Sequence, residues 1–160
     1  MTAADLDAVA RIAVIAFPDH FEGRPCFENR LTLNPSGCFV LAAGEGEPQG
    51  YLVAYPWRAD SAPALNTPIA AIPADAAVIY LHDLALMPGV RGGGWSRPII
   101  ERIADDARTA GWPVLALVAV NEAAPFWERH GFIIVEVQGM AAKLAGYGPG
   151  ARYMSRRLEN

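Results

Sequence analysis

The stretch that most constrains this chain runs from residue 78 to residue 120. It opens on Val78–Leu86, a nearly continuous apolar run interrupted only by His82 and Asp83 and ended by Met87-Pro88-Gly89. A strand buried on both faces has this composition, because no position is left over for water. A helix is expected over 94–110, with Ile99, Ile103, Ala107 and Ala110 as its buried stripe and Gly111 as its stop. The all-apolar run 114–120 then reads as a second strand. Strand, helix and strand in this order predict a parallel crossover and place the chain among α/β folds.

The rest of the chain surrounds that unit. Thr2 with Asp5 three residues on forms a capping box, and Leu6, Val9, Ala10, Ala13 and Phe17 continue at helical spacing until Pro18. A second helix is expected between about 21 and 33, stopped by Asn34-Pro35-Ser36-Gly37. Runs 38–43 and 51–57 are strand-like, and the Gly- and Pro-bearing link between them suits an antiparallel hairpin. Residues 58–77, rich in Ala and Pro without a period, read as an irregular surface excursion on the substrate side. Asn121 is expected to cap a short helix ending near His130, with strands over 132–137 and 153–158 beyond it.

With 160 residues and 52% hydrophobic content, the chain has material for one core, and we expect a single domain over 1–160. The formal net charge of -4 argues against nucleic acid as a partner, since gripping phosphate backbones needs a basic surface. The N-terminal residues lack the pattern of a secretory signal, and no apolar run reaches the ~18 residues of a membrane span, so a cytoplasmic location is expected. Cys26 and Cys38 have no metal-ligand neighbours at short spacing and are expected to be free, buried thiols, with no metal bound.

Chemistry enters at Arg91-Gly92-Gly93-Gly94-Trp95-Ser96, where strand passes through turn into helix. Glycines let backbone approach a ligand, the first helical amides lack partners, and the helix dipole favours negative charge, so the turn is an anion site suited to a pyrophosphate. Arg91 adds a fork of donors at its rim. A dinucleotide fingerprint would need glycine where Arg97 stands, and a P-loop would need a Gly-Lys-Ser/Thr ending, so neither fits.

Two segments carry a resemblance to a known family. Arg91-x-x-Gly94-x-Ser96 resembles the GNAT pattern Arg/Gln-x-x-Gly-x-Gly/Ala, with serine as a small-residue departure. Asn121 to Phe132 is similar to that family's Asn-x-x-Ala-x-x-Phe-Tyr-x-x-x-Gly-Phe segment. The resemblance implies a mixed central sheet with an antiparallel N-terminal hairpin, splayed parallel strands in the middle and flanking helices. It implies an acyl-CoA, most often acetyl-CoA, as donor and an N-acyltransferase acting by direct attack in a ternary complex. The backbone of Leu84, Ala85 and Leu86 would meet the pantetheine arm, and Arg91, Gly92, Gly93, Gly94, Trp95 and Ser96 would surround the pyrophosphate. Asn121 and Phe126 would lie beside the pantetheine and thiol end.

Tyr80-Leu81-His82-Asp83-Leu84-Ala85-Leu86 is also similar to a stretch of arylalkylamine N-acetyltransferases, which makes His82 the candidate base; its plainer reading is a core histidine bonded to a carbonyl or carboxylate. Asp83 is expected to face away from it on an extended strand. Trp127 stands where the family usually has a tyrosine acid, and it is expected to be packing, with Tyr80, Tyr153 or solvent left to protonate the thiolate. The acceptor is expected to be a small amine or a peptide N-terminus, without a membrane partner and with room for a homodimer. The alternative is a catalytically silent acyl-CoA sensor or interaction domain.

Overall fold

The computed structural model describes residues 1–159. Its strands hydrogen-bond in the order β1-β2-β3-β4-β6-β5, a six-stranded mixed sheet with flanking helices. Two compact units interleave along the chain: Met1–Tyr55, Ala64–Ile72 and Leu81–Pro98 form the first, and Pro56–Pro63, Pro73–Tyr80 and Ile99–Asn160 the second.

In the first unit, the Asp5 carboxylate accepts from the Thr2 N–H at 2.6 Å and the Thr2 hydroxyl at 3.0 Å, so the expected capping box forms. A 3-10 turn, Ala3–Asp5, leads into α1, Leu6–Ala16, which buries Leu6, Ala8, Val9, Ile12 and Ala13. Phe17 leaves helical geometry ahead of Pro18, whose ring disfavours the α conformation in the residue before it. Helix α2, Arg24–Leu33, starts later than the sequence pattern placed it, because Gly23 is extended and Pro25 takes the first turn. It turns Cys26, Phe27 and Arg30 inward. Strands β1, Cys38–Leu41, and β2, Gly50–Trp57, pair antiparallel with Phe39 opposite Leu52, as the hairpin composition implied. The irregular excursion appears as expected, and its 64–72 portion belongs to this unit.

Strand β3, Val78–Leu86, has the predicted bounds. In the second unit its first residues pair in parallel with β4, Val114–Ala119, at Ile79↔Leu115 and Tyr80↔Ala116, which establishes the crossover. Strand β4 also pairs antiparallel with β6, Arg152–Arg157, from Val114↔Arg157 to Ala119↔Arg152.

Three details depart from the sequence reading here. Helix α3, Ser96–Thr109, buries Ile100, Ile103, Ala104 and Ala107; Ile99 is only half-buried and Ala110 is exposed, since the i, i+3, i+4, i+7 face lies one residue over. Asn121 and Glu122 take left-handed backbone, with φ 51° and 59°, so Asn121 does not cap α4, Ala124–Glu128; Ala123 holds that place. The strand expected over 132–137 shrinks to β5, Ile133–Ile134, paired with β6, and a short helix α5, Ala141–Ala145, was not anticipated. Arg156 of β6 ties this unit together by donating to both oxygens of Glu101, at 2.9 and 2.8 Å, and to the His130 carbonyl at 3.1 Å.

Candidate active site

The glycine turn follows β3 after a short connection. A 3-10 turn, Pro88–Val90, lifts the chain off the strand, and Gly92 and Gly94 then adopt φ of 78° and 80° before α3 begins at Ser96. A Cβ at Gly92 or Gly94 would meet open space, so it is the left-handed backbone and not crowding that calls for glycine there. The half-exposed Trp95 folds its indole back over Gly93, where a Cβ would come within 2.4 Å of the ring nitrogen. Two left-handed glycines precede the first turn of a 14-residue helix, whose leading N–H groups have no intrahelical partners and lie at the positive end of its dipole. Arg91 does not simply extend into solvent: its Nε donates to the Leu86 carbonyl at 2.9 Å, which joins the turn to the end of β3.

His82 lies in the same unit, in a network of buried ionisable groups. Its Nε2 is 2.6 Å from Oε2 of Glu22, and its Nδ1 is 3.1 Å from the Tyr55 hydroxyl. The side chains of His82 and Glu22 are 3% and 4% exposed, so solvent screens this pair little. The second oxygen of Glu22 accepts the Asn66 N–H at 2.8 Å. Arg30, fully buried, lies with its guanidinium 5.4 Å from the Tyr55 ring centre and donates to Asn29 Oδ1 and the Thr67 carbonyl. The Asp83 carboxylate accepts the Tyr51 hydroxyl at 3.0 Å. Tyr51 and Tyr55, four apart on β2, share one face and reach consecutive residues of β3, so Asp83 does not point away from His82 as strict alternation suggested.

The charges follow from this geometry. Burial works to lower the His82 pKa, but the Glu22 charge, its hydrogen bond and the Asp83 charge outweigh burial and raise it. Burial works to raise Glu22, and His82, the Asn66 N–H and Arg30 together bring it below the usual carboxylate range. Burial pushes Asp83 up to about 6. The His82 pairing thus stabilises the fold fully below the unfolded histidine pKa of ~6.5 and loses that contribution as pH rises through the raised folded value. Glu22 contributes above its unfolded pKa of ~4.3 and loses that contribution as pH falls through its lowered folded value, while Asp83 adds a cost as pH rises from ~3.9 towards its folded value. Melting temperature is therefore expected to peak in mildly acidic buffer, near pH 5, and to decline above about pH 6 to 7. A scan from pH 4 to 9 that instead rises steadily to pH 8 contradicts the assignment of these charges.

Among the described residues, Glu22, His82 and Asp83 form a group whose ligating atoms lie within 4.8 Å of one another. Glu22 and His82 are already spent on each other, and the neighbouring Arg30 charge opposes a further cation, so this donor set suits an ion-pair network better than a metal centre.

The remaining sequence candidates lie in the second unit. Asn121 is exposed on the left-handed turn after β4, and Phe126 of α4 stacks edge-to-face on Trp127 at 5.0 Å and on His130 at 4.8 Å. Trp127 also packs on Phe132 at 5.3 Å, the apolar role expected of it. Replacing it with tyrosine keeps the aromatic contacts, so Trp127→Tyr is expected to shift stability by only about 1 kcal/mol and not to reduce turnover. A large loss of activity in a stable variant assigns the indole a role of its own. Tyr153 accepts the Asp60 N–H at 3.1 Å, and burial raises its pKa, so it is a poor acid where it stands. Both cysteines are buried free thiols, raised chiefly by burial, Cys38 to about 11, and are ill suited to a covalent acyl route.

Sequence reasoning passed over Glu22, Arg30 and Tyr51, and marked Tyr55 only as part of a Tyr55-Pro56-Trp57-Arg58 corner shaping the acceptor, not as a partner of His82. Arg30 sat inside an expected helix with no motif to mark it. No local signal marked Glu22, because a carboxylate in a link between two helices has no local reason to be buried; its burial beside exposed Phe21 is seen only in the fold.

This strand, turn and helix lie within a mixed six-stranded sheet with flanking helices, the architecture of an α/β domain. The chain matches the model of the acetyltransferase (GNAT) family over residues 6–132 and belongs to that family. Among solved structures, it is similar to the loading GNATL domain of CurA from Lyngbya majuscula, with a TM-score of 0.78 at 13% identity, covering 97% of this chain and 94% of that one. It is similar to the GphF GNAT-like decarboxylase in complex with isobutyryl-CoA, with a TM-score of 0.77 at 19% identity, covering 99% and 97%. It is also similar to Ard1 from Thermoplasma volcanium, with a TM-score of 0.74 at 13% identity, covering 100% and 95%. At these identities the likeness is one of fold. A comparison with curated protein sequences gives no match. Among the described residues, no helix is long and apolar enough to cross a membrane.

Proposed function

We propose that this protein is an acyl-CoA-dependent N-acyltransferase that moves an acetyl group from acetyl-CoA to an amine by direct attack in a ternary complex. The observation that carries the reading is the left-handed turn of Gly92 and Gly94 between the end of β3 and the start of α3, a geometry suited to an anion and a short connection beyond Leu84, Ala85 and Leu86. In this reading the turn holds the pyrophosphate, and those three residues offer backbone groups to the pantetheine as an added strand would. Asn121 and Phe126 are proposed to flank the pantetheine and thiol end.

The amine nitrogen attacks the thioester carbonyl, the oxyanion is held by a backbone N–H, and collapse breaks the C–S bond to release CoA. The amine must lose a proton in the process. Neutral His82, with its proton on Nε2 facing Glu22, accepts the Tyr55 O–H at Nδ1, so His82 takes that proton through the Tyr55 hydroxyl and not directly. A thiolate of pKa ~8.5 leaves without strong acid help, which accommodates Trp127.

The acceptor class is a small amine or a peptide N-terminus, shaped by the 58–77 excursion. The engagement of both His82 ring nitrogens also favours a second reading, an acyl-CoA binder without turnover. A thiol-release assay with acetyl-CoA against a panel of amines separates the two. CoA binding without release by any amine supports the silent binder, and absence of CoA binding removes both.

A further inference from the structure

We infer that Glu22 is the positioning residue of this site, one carboxylate oxygen orienting His82 while the other fastens the 64–72 loop. This rests on the acyl-transfer reading for its kinetic consequence but not for its structural one. Glu22 belongs to the short link between α1 and α2, beside exposed Phe21, yet it is 4% exposed itself. Burying a carboxylate in a link that solvent could bathe is costly unless each oxygen is satisfied. Both are: Oε2 lies 2.6 Å from His82 Nε2, and Oε1 accepts the Asn66 N–H at 2.8 Å.

The loop answers in kind. Asn66 holds left-handed backbone, φ 47°, and its side-chain oxygen accepts the Gly23 N–H at 2.9 Å, so Glu22 and Asn66 lock the link and the loop reciprocally. Farther along, Asn29 pairs with both backbone groups of Ile69, at 3.0 and 2.9 Å, and Arg30 donates to the Thr67 carbonyl. Those bonds hold the loop at 67–69 whatever the state of His82. The Asn66 bond shares the Glu22 side chain with the histidine.

The groups acting on His82 are Glu22 from the link, Arg30 from α2, Tyr55 from β2 and Asp83 from β3, with Tyr51 bonded to Asp83. Arg30 and burial oppose a positive imidazole. Glu22 is the nearest group that favours it, and by accepting at Nε2 it leaves Nδ1 turned to the Tyr55 hydroxyl. A mere structural brace would hold the loop without governing the protonation of His82, and this difference can be measured.

Glu22→Gln keeps an oxygen for the Asn66 N–H but removes the charge, whereas Glu22→Ala removes both contacts. NMR titration of the His82 ring should show its midpoint falling by on the order of one pH unit or more in Glu22→Gln, with the rising limb of kcat/KM moving the same way. Hydrogen exchange at the Asn66 amide should stay slow in Glu22→Gln and accelerate at least about tenfold in Glu22→Ala, with a higher acceptor KM at unchanged CoA affinity. Should Glu22→Ala fail to fold, Glu22→Asp, whose shorter chain cannot span both partners, takes its place. An unmoved His82 midpoint in Glu22→Gln, or an Asn66 amide equally protected in the shortened variant, overturns the inference. Absence of CoA binding and of acyl transfer removes the acyl-transfer reading alone, because titration and exchange need no turnover.

Discussion

The His82→Ala variant is expected to unfold on the order of 10 °C below the wild type. The substitution removes the partner of a buried carboxylate. Breaking such a pair from one side costs about 3–5 kcal/mol, since the remaining charge keeps its desolvation penalty and loses its compensation. For a chain of this size, each kcal/mol moves the midpoint by about 2–4 °C. The Tyr55 hydroxyl loses a partner as well. Thermal unfolding at pH 6 measures the loss, and His82→Gln, which can still donate to Glu22, should recover part of it. Activity is then compared at a temperature where the variant stays folded. A fall of about a hundredfold in rate with the same amine, at constant CoA affinity, is the signature of a proton acceptor. A full rate per folded molecule identifies His82 as a satisfied core residue only. A melting point equal to the wild type contradicts the buried ion pair itself.

Gly94→Glu is expected to weaken CoA binding by roughly a hundredfold or more. Two effects add. A non-glycine residue at φ 80° costs about 1–2 kcal/mol locally, and a carboxylate at the start of α3 puts negative charge where the pyrophosphate would lie. Loss of one or two charge-assisted hydrogen bonds, at about 1.5–3 kcal/mol each, already accounts for the hundredfold. Gly94→Ala separates strain from charge, because its Cβ meets open space. Arg91→Ala should be milder, since an exposed guanidinium that also bonds the Leu86 carbonyl contributes less than the backbone amides. Calorimetric titration with CoA is the measurement. Wild-type affinity in a folded Gly94→Glu protein removes the turn from the binding site and takes the proposed function with it.

Much of the fold was legible before any coordinates, for reasons that differ along the chain. Strand β3 was readable to the residue because an apolar run ended by Met87-Pro88-Gly89 has one way to be buried. The capping box at Thr2 and Asp5 was readable because its partners are three apart and need nothing from the rest of the molecule. The errors fell where several faces were nearly equal. Helix α3 offers isoleucines at 99, 100 and 103, and only the surface it packs against chooses Ile100 over Ile99. Asn121 has the chemistry of a cap, but its left-handed backbone spends it in the turn instead.

The sequence by itself determined the strand, glycine turn and helix proposed to hold the pyrophosphate, because that geometry is backbone conformation written in consecutive residues. It also determined that Trp127 cannot serve as an acid, a property of the indole wherever it lies. Only the tertiary structure decided what His82 is bonded to. Glu22 is 60 positions away from it and Tyr55 is 27, separations at which no local spacing carries information. Their meeting depends on the link between α1 and α2, and on β2, bringing charged and phenolic groups to one face of β3, where low dielectric makes each partner's presence decisive for the charge of the other.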